Sequence, residues 1–563
     1  MIRWFAAVVC LVWTASLPGA DLVLKGGQII TCDPSNRQVQ AVAVTGTRIV
    51  AVGSDAEMGT HTGPTTKVID LTGRVVTPGF IECHGHLLAL GRQRIDVDLA
   101  ACKTWQECVF KIRQRTIGAR EGDWIIGRGW HQEHWIDPPN ADGTRYPTNE
   151  LLSRLTEKNP ALLIHGTGHM AIANAAALKA AGITNESTPP KGGEFLRDAE
   201  GKLTGVLRET ASDAVEAAYE RWRGKRTPAE REIEDRRAIE LAIKECLAKG
   251  VTSFQDAGSS FGDLDLFWKM RYENRLGIRL WVMLSAPPDV LAEKLRAART
   301  IGDAERFLTV RAIKCMADGA LGSHGALMLK PYVDLPESTG LRIHSLNRIE
   351  QTAILAAQHD YQLCTHAIGD QAIREVLDIY ERVQRMSPGR DRRWRIEHLQ
   401  HIDPADLPRL KELGVIASMQ ANHATSDGPF VVTRLGEDRA RVSAYAWRSV
   451  VDSGAKLING TDVPVEDVNP LLCLQSAVTR RMSNGKQFFP EQCLTPLEAL
   501  RSDTIDAAYG AFEEQEKGSI EPGKLADMVI LSGSPLTTPG DKLGELQVEK
   551  TIVGGKIAYE RSP

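Results

Sequence analysis

The sequence predicts an α/β fold: a (β/α)8 TIM barrel with a large insertion after strand one, plus a small β-sandwich formed by both chain ends. Between residues 78 and 512, eight short apolar runs alternate with helical patterns, which is the strand count of such a barrel. Both chain ends contain only short strands and turns. The interval between the first two apolar runs is far too long for a barrel loop, so it predicts the insertion.

The predicted sandwich comprises residues 21–77 and 513–563. The first part contains short β segments at residues 22–24, 41–44 and 49–52, with a turn at Thr45-Gly46-Thr47. The second part has the same pattern at residues 527–531 and 548–553. Neither part has enough strands for a stable sheet of its own, so we expect one sandwich built from both.

The barrel domain is predicted over residues 78–512, with the insertion at about residues 95–235. Helical patterns follow the strands; in residues 238–249, for example, apolar side chains recur at helical spacing. The eight predicted strands cover residues 79–83, 251–255, 279–284, 309–316, 362–365, 394–397, 415–419 and 456–459.

Residues 1–20 have the pattern of a secretory signal peptide. Arg3 precedes an apolar run from Trp4 to Leu17, and Pro18-Gly19-Ala20 supplies the small residues before a cleavage site. We therefore expect an exported protein, periplasmic or secreted, without stable membrane insertion after cleavage. An uncleaved membrane anchor is the alternative.

Composition narrows the class of partner. The net charge is −4 among 25% charged residues, and no basic tract occurs, which argues against a nucleic-acid partner. The ten cysteines are scattered and do not form a disulfide framework, although Cys102 and Cys108 are close enough in sequence to pair. We expect a small-molecule substrate, and we consider a homodimer as the oligomeric state.

Candidate metal ligands follow several of the predicted strands. His84 and His86 close strand one, where residues i and i+2 point to the same side and can share one ion. The other candidates lie in or directly after later strands: Lys314, His366, His398 and Asp462. In a barrel these strand ends converge on one face, where active sites lie.

Each of these six residues, taken alone, fits a structural role at least as well. Lys314, however, lies inside an apolar strand, and a buried ammonium is costly unless it is neutralised or paired. Four histidines and an aspartate supply N and O ligands for a divalent metal pair, with Lys314 converted to a bridging carbamate. The six residues together therefore predict a metal centre.

The six candidate ligands in this order resemble the metal-binding residues of the amidohydrolase superfamily, and the resemblance extends along essentially the whole mature chain. Finer motifs resemble the YtcJ-like (amidohydrolase 3) branch of that superfamily, which includes N-substituted formamide deformylases. The order HxH, Lys, His, His, Asp is similar to that superfamily's metal-binding pattern. The finer motifs are Gly129-Trp130-His131-Gln132, Gly168-His169 with Asn174, residues 192–198, Ala317-Asp318-Gly319 and His366-Ala367-Ile368-Gly369-Asp370.

The resemblance implies roles for these residues. His84, His86, His366 and His398 would hold one or two divalent ions, with zinc expected, and Lys314 would bridge them as a carboxylated lysine. Asp462 would be both a ligand and the catalytic residue that takes a proton from an activated water. The expected substrate-binding residues are Trp130, His131, His169 and His324; the sequence Ser323-His324-Gly325 departs from the branch's usual pattern, so the substrate is expected to differ.

The predicted function is metal-dependent hydrolysis of a non-peptide C–N bond in an amide, an N-formyl or N-acyl amine, or a cyclic amide. Ester or lactone hydrolysis on the same metal centre is the alternative within enzymes. A non-catalytic binding scaffold is the alternative outside them, although all six ligand positions are filled here.

Overall fold

The computed structural model describes residues 19–137, 146–303 and 305–562. The predicted signal peptide, residues 1–20, lies outside the described residues except for Gly19 and Ala20. Among the helices that are described, none is long and apolar enough to cross a membrane. Cys102 and Cys108 are both buried free thiols, so the suggested pairing does not occur.

The chain ends form two packed sheets, one of N-terminal strands alone and one with strands from both ends. Strand Met528–Leu531 pairs antiparallel with Val75–Pro78, which joins the two ends in one sheet. Apolar side chains of both sheets, such as Leu24, Val42 and Ile530, form a shared buried core. The strands are Leu22–Lys25, Gln28–Ile30, Gln38–Val39, Ala41–Thr45, Arg48–Gly53, Lys67–Asp70, Val75–Pro78, Met528–Leu531, Val548–Val553 and Lys556–Glu560.

The eight predicted barrel strands form one parallel sheet in sequence order, which confirms the fold class. Because all the strands are parallel, their carboxyl ends lie on one face, the barrel rim. Strands one to eight are Phe80–Gly85, Val251–Ser259, Arg279–Leu284, Leu308–Met316, Gln362–Ala367, Arg395–His398, Ile416–Met419 and Leu457–Asn459.

The exit of strand eight packs against strand one. The backbone N–H of Thr461 donates to the Glu82 carboxylate at 2.8 Å, and its hydroxyl donates to the other oxygen at 2.6 Å. A Cβ at Gly460 would lie 2.9 Å from the backbone nitrogen of His84, so this close approach requires glycine. The contact places the residues after Gly460 beside the histidines of strand one.

Helices surround the barrel. Helix Pro228–Ala248 begins with a capping box between Thr227 and Glu230 and has proline in its first turn, which explains its sharp start. The other helices outside the insertion are Leu87–Gln93, Phe261–Tyr272, Pro288–Ala298, Leu346–Gln358, Asp370–Met386, Leu407–Glu412, Ala421–Leu435, Glu437–Ser443, Trp447–Asp452, Pro470–Thr479, Pro496–Ser502 and Ile505–Gly510.

The insertion after strand one has its own sheet and cores. Its strands alternate between two apolar clusters, one with Ile125 and Leu163 and the other with Ile126 and Leu162, so each face of the sheet is covered. The strands are Val97–Asp98, Ile125–Trp130, Ala161–His165, Met170–Ala173, Gly193–Arg197 and Leu203–Glu209. The helices are Trp105–Arg115, Glu150–Leu155, Ala175–Ala181 and Asp213–Arg223.

Candidate metal centre

His84 is fully buried at the end of strand one, and its ring is oriented by strand six. Its Nδ1 lies 2.5 Å from Oε2 of Glu397, and Arg395 donates to that carboxylate at 2.6 Å. Burial alone would raise the pKa of Glu397, but Arg395 and His84 hold it well below its ordinary value. The ionised Glu397 therefore accepts from Nδ1–H, which leaves the Nε2 lone pair of His84 facing the barrel mouth.

Lys314 and Asp462 both lie beside that free nitrogen. Lys314 Nζ is 2.9 Å from His84 Nε2, and Asp462 Oδ1 is 3.7 Å from the same atom. His86, which begins helix Leu87–Gln93, places its Nε2 3.2 Å from Asp462 Oδ1. Residues separated by nearly 400 positions in the sequence thus meet around one point.

The charges of this group follow from burial and mutual contact. Burial lowers the pKa of Lys314, which favours its uncharged amine. Burial also lowers the pKa of His84, to about 4, so its imidazole is neutral at pH 7. For Asp462, burial acts to raise the pKa, but the adjacent imidazoles of His86 and His84 hold it below its usual range. The aspartate is therefore ionised.

His366 and His398 complete the cluster from strands five and six. Their ring centroids are 4.5 Å apart, and the His398 ring is 4.7 Å from that of His84. His398 Nδ1 lies 2.8 Å from Oε1 of Gln420, so Nδ1–H donates and Nε2 keeps its lone pair. Burial places the pKa of both His366 and His398 well below the ordinary histidine value.

The donor set fits a divalent metal ion. Nε2 of His366 and Oδ1 of Asp462 are buried and have no hydrogen-bond partner within the described chain. Unpaired buried polar atoms are costly, and neutral imidazoles and carboxylates are the ligands that zinc-type ions prefer. Two groups of ligand atoms lie within 4.8 Å of one another and share the aspartate: His84, His86, Asp462 and His398, His423, Asp462.

Sequence reasoning missed His423 and Glu397. His423 lies in helix Ala421–Leu435, directly after strand seven, and its Nε2 is 3.9 Å from Asp462 Oδ2. Its position after a barrel strand was a usable signal, because such loops form barrel active sites. A signal was also available for Glu397, since a carboxylate inside a strand is as costly as the lysine of strand four.

Two of the four expected substrate-binding residues lie at the cluster. His131 lines the cavity above the rim, and its ring stacks on that of His134 with centroids 4.3 Å apart. His169 lines the same cavity with its ring centroid 5.0 Å from that of His366. Its Nδ1 lies 2.7 Å from Oε2 of Glu209, a residue that the sequence did not indicate.

Glu209 connects the insertion to the rim. Its second oxygen accepts a 2.9 Å hydrogen bond from Ser323, in the loop after strand four. A Cβ at Gly319 or at Gly325 would lie 2.3 Å from Oε1 of this glutamate, so both glycines make room for it. The glycines of two motifs noted in the sequence thus permit the His169–Glu209 pair to reach the metal cluster.

Trp130 and His324 do not reach the cavity, contrary to expectation. Trp130 is fully buried in the insertion core, where its Nε1–H donates to the Leu163 carbonyl at 2.8 Å. A bulge at Gly129 shifts the strand register before it. His324 instead pairs with Asp334, its Nε2 3.2 Å from Oδ1, because its loop turns back on itself after strand four.

Two cavities meet at the cluster. The first, which we call the acidic chamber, has a volume of about 340 Å³ and is lined by Asp427, Glu466 and Gln400. The second, which we call the insertion chamber, has a volume of about 810 Å³ and is lined by Glu209 and Asp213. The residues common to both include His169, His366, His398 and Asp462.

Comparison with known proteins identifies the family. Residues 67–559 match the family model described as the amidohydrolase family, which is most of the chain. The chain belongs to the amidohydrolase family. This amidohydrolase is 31% identical over 549 residues to YtcJ of Bacillus subtilis (strain 168), covering 96% of this chain and 99% of that protein. It is 29% identical over 556 residues to the N-substituted formamide deformylase of Arthrobacter pascens, with coverage of 96% and 99%.

A solved structure supports the same assignment. An uncharacterized metal-dependent hydrolase from Pyrococcus horikoshii OT3 has a TM-score of 0.73 with this amidohydrolase at 25% identity, covering 92% of this chain and 99% of that one. The resemblance to the YtcJ-like branch is thereby confirmed, and the chain is an enzyme, a metal-dependent hydrolase.

Proposed function

We propose that this amidohydrolase cleaves a non-peptide C–N bond in a small molecule: an N-formyl or N-acyl amine, another simple amide, or a cyclic amide. The observation that carries the proposal is the buried, ionised Asp462, whose Oδ1 has no hydrogen-bond partner within the described residues and lies 3.2 Å from His86 Nε2. Its full-length relative from Arthrobacter pascens is an N-substituted formamide deformylase.

The chemistry of amide hydrolysis explains why this arrangement suits the reaction. A divalent ion bound here would lower the pKa of a coordinated water and polarise a carbonyl. Asp462 would accept the proton of the attacking water and return it to the leaving nitrogen, which is a poor leaving group unless protonated. Proton acceptance requires an ionised carboxylate, and the low pKa of Asp462 provides one.

We further propose that zinc is the resident ion, as one or two atoms, held by His84, His86, His366, His398 and Asp462. Lys314 would be carboxylated on Nζ, because an uncharged amine reacts with carbon dioxide and burial favours that form. His84 and His398 each direct Nδ1–H to a side-chain acceptor, which is the usual arrangement of histidines that bind metal through Nε2.

The test is an assay of purified protein whose metal content has been quantified. Matched N-formyl amines, N-acetyl amines, a cyclic amide and a lactone are supplied, and the amine or acid released is measured. We expect amine release that is lost on chelation and restored by zinc with bicarbonate. Lactone opening without any amide cleavage would instead establish the ester chemistry, and metal-loaded protein inactive on every substrate would contradict an enzymatic role on these classes.

A further inference from the structure

The acidic chamber extends from the metal cluster to two carboxylates that bind no metal in the proposal above. Asp427 lies on helix Ala421–Leu435 four residues after His423, so the two side chains share a helix face. Glu466 lies four residues after Asp462, in the loop that leaves strand eight. Both carboxylates line the same cavity as the cluster.

The negative charge of this chamber is not balanced by the chain. Among the described residues that line it, five are carboxylates and one, Arg94, is a guanidinium. Arg94 is already paired with both oxygens of Glu245. The charge of Arg434 acts to lower the pKa of Asp427, but Arg434 is already paired with Asp334 and Glu133. Burial raises the pKa of both Asp427 and Glu466, as expected for carboxylates that lack a cationic partner.

One unpartnered polar atom, the side-chain oxygen of Gln400, gives an independent indication of a ligand. Gln400 and His423 are 3% and 6% exposed and line the acidic chamber. The Gln400 amide nitrogen donates to His423 Nδ1 at 3.0 Å, while Gln400 Oε1 has no hydrogen-bond partner within the described chain. This buried carbonyl oxygen lines the same chamber as the two carboxylates and lacks a donor, which a ligand with several N–H groups would supply.

The spacing limits the size of that ligand. His423 Nε2 is 3.9 Å from Asp462 Oδ2, and Asp427 lies one helical turn further, about 6 Å along the helix surface. A chamber of about 340 Å³ has room for a short chain of atoms beyond the scissile group. The carboxylates of Asp427 and Glu466 are therefore positioned to accept hydrogen bonds from a cationic group of the substrate, a few bonds away from the reacting carbonyl.

We propose that the substrate is an amide that carries an ammonium group on a short spacer, and that Asp427 and Glu466 bind this ammonium in the acidic chamber. The inference rests on the proposed function, because it names the substrate class of that same site. Asp427 is positioned by the hydroxyl of Tyr445, which donates to it at 2.5 Å. The two carboxylates are specificity residues and take no part in cleaving the bond.

The experiment uses three amides of equal length on the zinc-loaded enzyme, ending in an ammonium, a methyl or a carboxylate group. We expect kcat/KM to be at least about tenfold higher for the ammonium amide than for the methyl amide, and lowest for the carboxylate. Asp427→Asn and Glu466→Gln should each lower kcat/KM for the ammonium amide by about tenfold, while the rate on the methyl amide stays within about twofold.

The rate on the methyl amide reports on folding, because a misfolded variant loses that activity as well. Two variants are used so that the inference can still be tested if one of them does not fold. Asp213→Asn is the matched control, since it removes a carboxylate from the insertion chamber and should leave the ammonium preference intact. Equal rates on all three amides, or a preference that both chamber variants retain, would overturn the inference while the amide chemistry stands. No hydrolysis of any amide would instead refute the proposed function.

Discussion

The barrel rim and the insertion form opposite walls of one site, and they differ in how they are built. The rim gathers one or two side chains from each of several strand ends, fixed by the parallel register that pairs Lys314 with Cys364 and His366 with Glu397. The insertion contributes from the ends of its strands, because both faces of its sheet are covered by apolar cores: His131 follows strand Ile125–Trp130, His169 precedes strand Met170–Ala173, and Glu209 ends strand Leu203–Glu209. The rim therefore brings the candidate metal ligands together, and the insertion lines the cavities above them.

His84 of the rim and His169 of the insertion also differ in charge. Burial lowers the pKa of the rim histidine His84 to about 4, so it offers a neutral nitrogen. Burial acts to lower the pKa of His169 in the insertion too, but the adjacent Glu209 raises it above the ordinary histidine value. A ligand must be neutral, whereas a residue that donates to a substrate must keep its proton. We therefore expect His84 to bind metal and His169 to contact the substrate.

The rim is tested most strongly by Asp462→Asn. Asparagine keeps the size of the side chain but cannot accept the water's proton, so we expect kcat to fall by at least about 10³-fold. The fold should be retained, because Oδ1 of Asp462 makes no hydrogen bond to the described residues. The measurement is kcat with metal content and thermal unfolding recorded on the same sample. A wild-type rate would refute the catalytic role.

The insertion is tested by His169→Ala, for which we expect a smaller effect than at the rim. Loss of a charged hydrogen-bond donor is worth about 1.5–3 kcal/mol, so kcat/KM should fall about 10- to 100-fold at unchanged zinc content. Glu209→Gln keeps an acceptor for Nδ1–H but removes the charge, and it should give a smaller loss.

Glu194→Gln is the control for these insertion variants. Glu194 lies in the same sheet and pairs with Arg208, but its side chain is 48% exposed and does not line either chamber. It should leave kcat/KM unchanged. Loss of zinc in His169→Ala, with activity restored by excess metal, would place His169 among the ligands and remove the distinction between the two walls.

The fold was predictable because hydrophobic patterns report it directly. Most barrel strands are short apolar runs, although strand six, Arg395–His398, is mostly charged and polar, and the HxH pattern after Phe80 and Ile81 marks the end of strand one. The rim cluster followed from the same pattern, since parallel strands place their ends together whatever the intervening sequence. His423 was missed because it follows its strand by a turn of helix and does not lie at the strand end.

The insertion was less predictable, since its side-chain directions depend on irregular backbone. A bulge at Gly129 shifts the register between Arg128 and Trp130, so the alternation of the preceding strand residues does not predict which face Trp130 takes. The direction of His324 depends on its partner Asp334, which lies ten residues away in a loop. Contacts of this kind carry no periodic signal.

The adjacent residues Trp130 and His131 test whether the insertion core and the cavity wall have separate roles. Trp130→Phe removes the Nε1–H bond to the Leu163 carbonyl and also buried ring atoms, so the free energy of unfolding should fall by about 2–4 kcal/mol. The kcat/KM of Trp130→Phe should stay within about twofold of wild type.

His131→Asn should have the opposite effect. It should lower kcat/KM about fivefold with little change in stability, because His131 lines the acidic chamber. Denaturant unfolding and steady-state kinetics on both variants measure this. If Trp130→Phe instead lowered kcat/KM tenfold or more at wild-type stability, the tryptophan would have to contact the substrate, and the insertion core would be part of the site.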